Sequence, residues 1–337
     1  MRASDRRRVA AWLFLCAAMV FAMVVVGGVT RLTHSGLSMV EWQPLVCALP
    51  PLSQADWQAL FLKYQQTPEF RLVNHAMELE GFKAIFWWEY FHRLLGRTIG
   101  LVFFLPFVFF LAKRILDRAL VWKLAGILLL GALQGALGWY MVKSGLVDDP
   151  RVSHFRLTAH LGVALAIFAA EMWIALDLLL PGRNHAGRFE KALPVLVFLM
   201  ALSGGMVAGL RAGFAYNSFP LMNGHLVPPE AFMLEPWWKN FLYNMAAVQL
   251  VHRGLFWVLS ISIPILWWRG RGTLAANALL AAFVLQATLG ISTLLLGVPV
   301  ALAAAHQACA VLLLSAALWN ARSARPERAV AHAYAAA

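Results

Sequence analysis

Apolar residues in this chain gather into long unbroken runs, separated by short polar, basic or glycine-containing breaks. Eight runs are long enough to cross a bilayer core of about 30 Å at about 1.5 Å per residue, near 9–30, 94–112, 120–142, 157–180, 192–210, 248–268, 274–296 and 300–320. No alternating barrel pattern accompanies them. Backbone inside lipid must satisfy its own hydrogen bonds, so helix is the predicted spanning form. The expected fold class is an all-α membrane protein, with eight transmembrane helices as two pseudo-symmetric four-helix bundles.

The two halves echo one another. Gly27-Gly28 in the first run matches Gly204-Gly205 in the fifth, and His92-Arg93 matches His252-Arg253. Leu133-Gln134-Gly135-Ala136-Leu137-Gly138 matches Leu285-Gln286-Ala287-Thr288-Leu289-Gly290, and His160 matches His306. An even number of helices per half preserves orientation, which predicts a parallel repeat. The expected division is 1–181, a cytoplasmic linker at 182–191, and 192–337.

Composition supports the membrane reading: 61% of the 337 residues are hydrophobic and 13% charged, with 14 Trp and a mean hydropathy of +0.69. The net charge of +12 does not imply nucleic acid, because the basic residues flank apolar runs. Arg2, Arg6, Arg7 and Arg8, then Lys113, Arg114 and Arg118, Arg183, Arg188 and Lys191, Arg269 and Arg271, and Arg322, Arg325 and Arg328 all fall on one side. The positive-inside rule makes that side, and both termini, cytoplasmic. The first run is too long for a signal-peptide core and lacks a cleavage pattern, so it is read as a retained helix. The long connections 31–93 and 211–247 then face outward, with amphipathic stretches such as Asp56 to Tyr64 that predict ordered structure. Three cysteines, Cys16, Cys47 and Cys309, form neither a disulfide framework nor a CxxC site.

The candidate chemistry sits at the outer ends of the even-numbered runs. His92, His160, His252 and His306 fall at similar depth, one per helix, as two imidazoles facing across a bundle must do to grip a haem. Arg93, Arg97 and Arg253 stand where propionates would meet water. Any one of these histidines alone is better read as interhelical glue; four at matched positions favour ligation. Zinc fits less well, since no third ligand accompanies either pair. Glu89 lies three residues before His92 and on the same helix face, whereas the matching place before His252 holds Gln249. The acid would serve as a base or stabilise a developing cation; the structural alternative is an ion pair with Arg93 or Lys83.

Other polar residues read more simply. Glu171, deep in the fourth run, belongs to a proton path or, with slightly more weight, to packing. Lys123 and Asp177 snorkel, Gln134 and Gln286 bond between helices, and small residues such as Gly131 and Gly135 permit close approach. His34, His75, His154 and His225 lie in outer loops, and His185 and His332 on the cytoplasmic side; Asn74-His75 leads towards Glu89. Phe86-Trp87-Trp88 and Trp237-Trp238 read as interfacial belts or as a lipid-side entrance.

Three stretches carry a family resemblance over nearly the whole chain: Gly27-Gly28-Val29-Thr30-Arg31-Leu32-Thr33-x-Ser35-Gly36-Leu37-Ser38, Glu89-Tyr90-Phe91-His92-Arg93, and Tyr216-Asn217-Ser218-Phe219-Pro220-Leu221-Met222-Asn223-Gly224. The chain resembles the haem A synthases of the alphaproteobacterial and mitochondrial type. The resemblance implies oxidation of the haem O C8 methyl to a formyl group, in the bacterial inner membrane, to supply haem A to cytochrome oxidase. It implies that His92 and His160 flank the substrate haem, that His252 and His306 ligate a haem b, and that Glu89 is catalytic. Implied partners are haem O, membrane lipid, a haem O synthase and an electron acceptor, with homo-oligomerisation left open and no nucleic acid. Some members of the family carry a cysteine pair in the first outer loop; this chain has only Cys47 there, so a loop disulfide cannot carry electrons. The residues alone also admit a di-haem b-type electron-transfer cytochrome, or a haem transporter or chaperone.

Overall fold

A computed structural model describes residues 1–41, 49–146, 150–182 and 186–323. Cys47, Arg183, His185, Arg325, Arg328, His332 and part of the 182–191 linker lie outside the described residues. No strand occurs among the described residues; the sole β-type pairing is an isolated bridge between Met222 and His225.

Among the described residues, eight helices are long and apolar enough to span a membrane, and each covers one of the expected runs to within a residue. They are α1 (Ala3–Leu32), α4 (Leu79–Ala112), α5 (Arg118–Lys143), α6 (His154–Leu179), α7 (Arg188–Gly209), α9 (Met245–Arg269), α10 (Leu274–Leu295) and α11 (Val300–Ser323). Short helices lie between: α2 (Gln54–Gln65) and α3 (Pro68–Leu72) before α4, and α8 (Asn240–Tyr243) before α9. Large apolar side chains such as Leu101, Leu105, Trp122, Leu129 and Ile261 stay exposed along the spanning helices. Helices that are apolar all round belong in lipid, so this is a multi-pass membrane protein.

By internal packing the chain forms two compact units, Met19–Ala164 and Met1–Ala18 with Leu165–Ala337, the cuts falling inside α1 and α6. In the first, α4 packs on α5 and the α2–α3 segment folds over the start of α4. Local chemistry makes that segment helical. Ser53 and Asp56 form a reciprocal capping box at the start of α2, and Thr67 caps α3 ahead of Pro68. The amphipathic Asp56–Tyr64 stretch, expected to be ordered, is therefore helix. Its apolar face builds a cluster of Met39, Tyr64, Phe82, Ile85, Phe86 and Tyr90, edged by Trp57, Phe61 and Phe70. Trp57 meets Phe86 edge-on at 5.0 Å and Tyr64 meets Phe82 at 5.2 Å. Such pairs contribute about 0.5–1.5 kcal/mol each beyond area burial. Phe86 and Trp87 thus serve a packed cluster, while Trp88 is exposed.

In the second unit α10 packs on α11, and α7 on α9 and α11. Asp177 does not simply snorkel here. It pairs with Arg322 at 2.8 Å, and Arg322 also donates to Leu180 O at 2.7 Å, a tie that buries the guanidinium.

Candidate active site

Glu89 lies one turn before Arg93 on α4 and is only 2% exposed. Its carboxylate gathers three donors: Arg93 Nη2 to Oε1 at 2.5 Å, Ser38 Oγ to Oε2 at 2.8 Å and the Met39 backbone N–H to Oε2 at 2.7 Å. Hydrogen bonds to a charged group are worth about 1.5–3 kcal/mol each, enough together to offset burial of the charge. Of the two partners considered from sequence, Arg93 is the one used; Lys83 pairs with Glu80.

The donors reach Glu89 because the chain turns sharply after α1. His34 adopts φ 55°, in the left-handed region, and Ser35 N–H bonds Thr30 O at 2.8 Å. Ser38 and Met39 then lie against α4, with Met39 held in the aromatic cluster. Arg93 closes the clamp by donating to Met39 O at 2.8 Å and Glu41 O at 3.1 Å. The first resembling stretch is therefore the loop that anchors the acid.

The four histidines share a device that sequence reasoning did not find. Each ring rests on a glycine of another helix. A Cβ on Gly27 of α1 would stand 3.0 Å from His92 Nε2, and one on Gly138 of α5 would stand 3.0 Å from His160 Cε1. In the other unit, a Cβ on Gly204 of α7 would stand 3.2 Å from His252 Cε1, and one on Gly290 of α10 only 2.6 Å from His306 Cε1. The seats are Gly27, Gly138, Gly204 and Gly290; a Cβ on Gly131 or Gly135, expected to permit close helix approach, would meet nothing within 4 Å.

His92 and His160 lie within electrostatic reach of one another, as do His252 and His306. Gln134 Nε2 contacts His160 Nε2 at 3.3 Å, so it bonds between helices as expected, and its target is a candidate ligand. His252 Nδ1 lies 2.8 Å from Ser203 Oγ, and Met200 O stands 2.7 Å from the same hydroxyl as an acceptor for its single proton. With the hydroxyl proton on Met200 O, the imidazole donates from Nδ1 and the Nε2 lone pair is left for a metal. Buried His160 Nδ1 and His306 Nδ1 have no hydrogen-bond partner. These donors, in apolar walls, fit a haem; no group of three or more His, Cys, Asp or Glu converges on a metal site among the described residues.

Arg253 and Gln249 form the counterpart of the Glu89 clamp. Arg253 donates to Tyr216 O at 3.0 Å and to Pro220 O and Leu221 O at 3.2 Å, while its Nε stays buried without a partner. Gln249 Nε2 donates to Ala212 O at 3.2 Å and Tyr216 O at 3.4 Å. The Tyr216–Gly224 stretch is thus a carbonyl-rich cap, held in shape by Ser218 Oγ bonding to Leu221 O and Asn223 N–H, and by Asn217 donating to Leu294 O. Glu171 is buried with Oε2 unpartnered.

A family model described as cytochrome oxidase assembly protein, COX15-CtaA, matches residues 10–318. The chain is 62% identical over 329 residues to the Heme A synthase of Nitrosospira multiformis, covering 93% of this chain and 92% of that protein. It is 54% identical over 330 residues to the Heme A synthase of Nitrosomonas eutropha, 93% of each chain. With the Heme A synthase of Parvibaculum lavamentivorans it shares 47% over 325 residues, 94% of each.

Proposed function

Because the chain belongs to the COX15-CtaA family of cytochrome oxidase assembly proteins, we infer that it is a haem-modifying membrane oxidoreductase with haem A synthase activity. It oxidises the C8 methyl of haem O to a formyl group. The observation that carries the assignment of chemistry to one place is the contrast at matched positions: a buried carboxylate held by three donors beside the His92–His160 pair, and a neutral amide beside His252–His306.

In this reading the amino-terminal half, 1–181, takes the substrate haem between His92 and His160. The carboxy-terminal half, 192–337, holds a haem b between His252 and His306, as a duplicated four-helix bundle. A bound haem b supplies one-electron transfer. Ser203 keeps His252 in the tautomer that offers Nε2. Arg93 and Arg253 bring positive charge to the propionate ends while holding the loops, and the Arg253 Nε–H is a donor left for a carboxylate. The chain lies in the inner membrane, with both termini cytoplasmic and both clamps towards the outer face, by the placement of its basic flanks.

Converting a methyl to a formyl group with oxygen from water releases protons and electrons in equal number. Glu89 is placed to stabilise positive charge developing at the substrate carbon and to accept a proton. Its bond from Ser38 can reverse, because a hydroxyl both donates and accepts. The test is pigment extraction from cells that also make haem O. Glu89→Gln should retain both haems and yield no formyl product. Normal conversion by that variant would remove Glu89 from the chemistry, and recovery of haem b alone from the unaltered protein would favour an electron carrier.

A further inference from the structure

The unit that holds His252 and His306 carries an apolar groove towards its other end. The groove measures about 450 Å³ and runs between α1, α6, α10 and α11, with Phe14, Leu176, Ala278, Ala282, Ser315 and Trp319 among its walls. All of these residues belong to the one unit. Its volume falls within the range of about 300–1,000 Å³ usual for small-molecule sites. Leu312, half exposed, also lines it and lies six residues beyond His306 on α11. The groove therefore starts about 9 Å deeper in the membrane than that ring. Ser315 is its only polar lining residue among those described, and its hydroxyl is spent on Val311 O at 2.8 Å. A dry apolar recess leaves its walls short of partner atoms unless hydrocarbon fills it.

At the mouth the chemistry changes, because helical register carries the walls straight into basic residues. Arg322 is three residues past Trp319 and seven past Ser315, so it continues the same stripe of α11. Leu180, four past Leu176 on α6, brings its carbonyl to Arg322 at 2.7 Å. On α1, Arg7 stands seven residues before Phe14 on the same face, exposed and about 10 Å nearer the basic end. Arg271, exposed just before α10, stacks on Trp268 at 4.2 Å and adds to the positive field. Two acids at this end are already matched: buried Asp5 with Arg2 at 3.0 Å, and Asp177 with Arg322 at 2.8 Å. Arg322 is 3% exposed, and its Nη1 has no hydrogen-bond partner. A buried charged donor without an acceptor is costly, so packing alone does not account for it.

We propose that this groove binds an anionic phospholipid, with one acyl chain along the apolar walls and the phosphate at the mouth between Arg7 and Arg322. Hydrocarbon depth joined to positive charge at one end is what such a molecule matches; an uncharged chain matches only the walls. Basic recesses between spanning helices on the cytoplasmic side suit acidic head groups, and the basic flanks read this end as cytoplasmic. The Arg322 Nη1–H is the donor left for a phosphate oxygen. So placed, the lipid ties α1 to α6, α10 and α11 at the end of the unit away from His252 and His306.

The test identifies what stays on the full chain purified in mild detergent, by mass spectrometry of the intact protein, and then titrates it with vesicles of phosphatidylglycerol or of phosphatidylcholine. The unaltered chain should carry a phospholipid and prefer phosphatidylglycerol. Arg7→Gln should hold phosphatidylglycerol about 5-fold more weakly, the share of one basic residue near an acidic surface. Ala278→Phe, which fills the groove, should hold neither lipid while keeping its haem. Equal binding of the two lipids would overturn the proposal, as would release of the bound molecule by inorganic phosphate alone. An isoprenoid quinone found in place of phospholipid would overturn it too, and so would undiminished phosphatidylglycerol binding by Ala278→Phe. Should Ala278→Phe fail to accumulate, Arg7→Gln decides: its side chain is exposed, and an unmoved affinity for phosphatidylglycerol overturns the proposal.

Discussion

The Glu89 clamp and the Gln249 clamp are built from the same parts and do opposite things. In both, an arginine four residues further along the helix donates to backbone carbonyls of the preceding loop: Met39 and Glu41 for Arg93, Tyr216, Pro220 and Leu221 for Arg253. At the first clamp the intervening side chain collects donors, and at the second it spends its own donors on carbonyls. A single change of side chain, matched by a loop that offers N–H and O–H rather than C=O, turns a structural tie into a charged site. Loop and acid must change together, since a carboxylate facing carbonyls would be repelled.

The largest effect should come from exchanging the two. Glu89→Gln combined with Gln249→Glu should lower haem A formation by at least about 100-fold, measured as the haem A to haem O ratio in extracted pigment. The new acid should not restore it, because Ala212 O and Tyr216 O occupy its surroundings. Conversion rescued by the exchanged chain would show the clamps to be equivalent.

Next come the glycine seats, which should fail in order of crowding. Gly290→Ala, at 2.6 Å, should lose most haem; Gly27→Ala and Gly138→Ala, at 3.0 Å, less; Gly204→Ala, at 3.2 Å, least. Haem per purified chain, read from the optical spectrum, checks the ranking, and equal loss at all four would refute the seating argument. Ser203→Ala is expected to be milder still for folding but specific to one unit. It should weaken haem retention in the carboxy-terminal half by about 10-fold, at the low end for loss of a group orienting a ligand, and leave the His92–His160 pair untouched.

The smallest effect is a local pH dependence confined to the first unit. Glu69 is buried although it stands in the first turn of α3. Burial raises its carboxyl from 4.5 to about 8, so between those values the folded segment binds more protons than the opened one. Stability is then fully present below about 4.5 and is lost as pH rises through about 8. Corrected hydrogen-exchange protection at the Val73 and Asn74 amides, which both bond Glu69 O, should fall over that window. Protection in 211–247 should not, and a matching fall there would trace the change to something other than Glu69.

What could be seen in the sequence was what repeats along one helix. The spans follow from apolar length, and the Glu89–His92 face from a three-residue step. Gln134 was legible as an interhelical partner because a lone amide in an apolar run must bond to something. What could not be seen lies between elements. Gly138 and Gly290 look like any small residues that ease helix contact; only packing reveals that each receives a ring. Ser38 and Met39 reach Glu89 across 51 and 50 positions, and the Met39 contact is through a backbone N–H that no side-chain pattern records. Glu69 was hidden by resemblance to an ordinary helix-start acid, and only its inward turn sets it apart.

The seating of imidazoles on bare backbone has one more consequence. At Gly138 and Gly290, whose neighbours on both sides carry side chains, sliding the helix by a single residue would replace hydrogen with a side chain beneath the ring and evict it. On the proposed ligation, alignment of neighbouring helices and readiness to receive an iron porphyrin are therefore one and the same contact. A bundle that has assembled out of step cannot bind, and its failure to colour would report the misalignment directly.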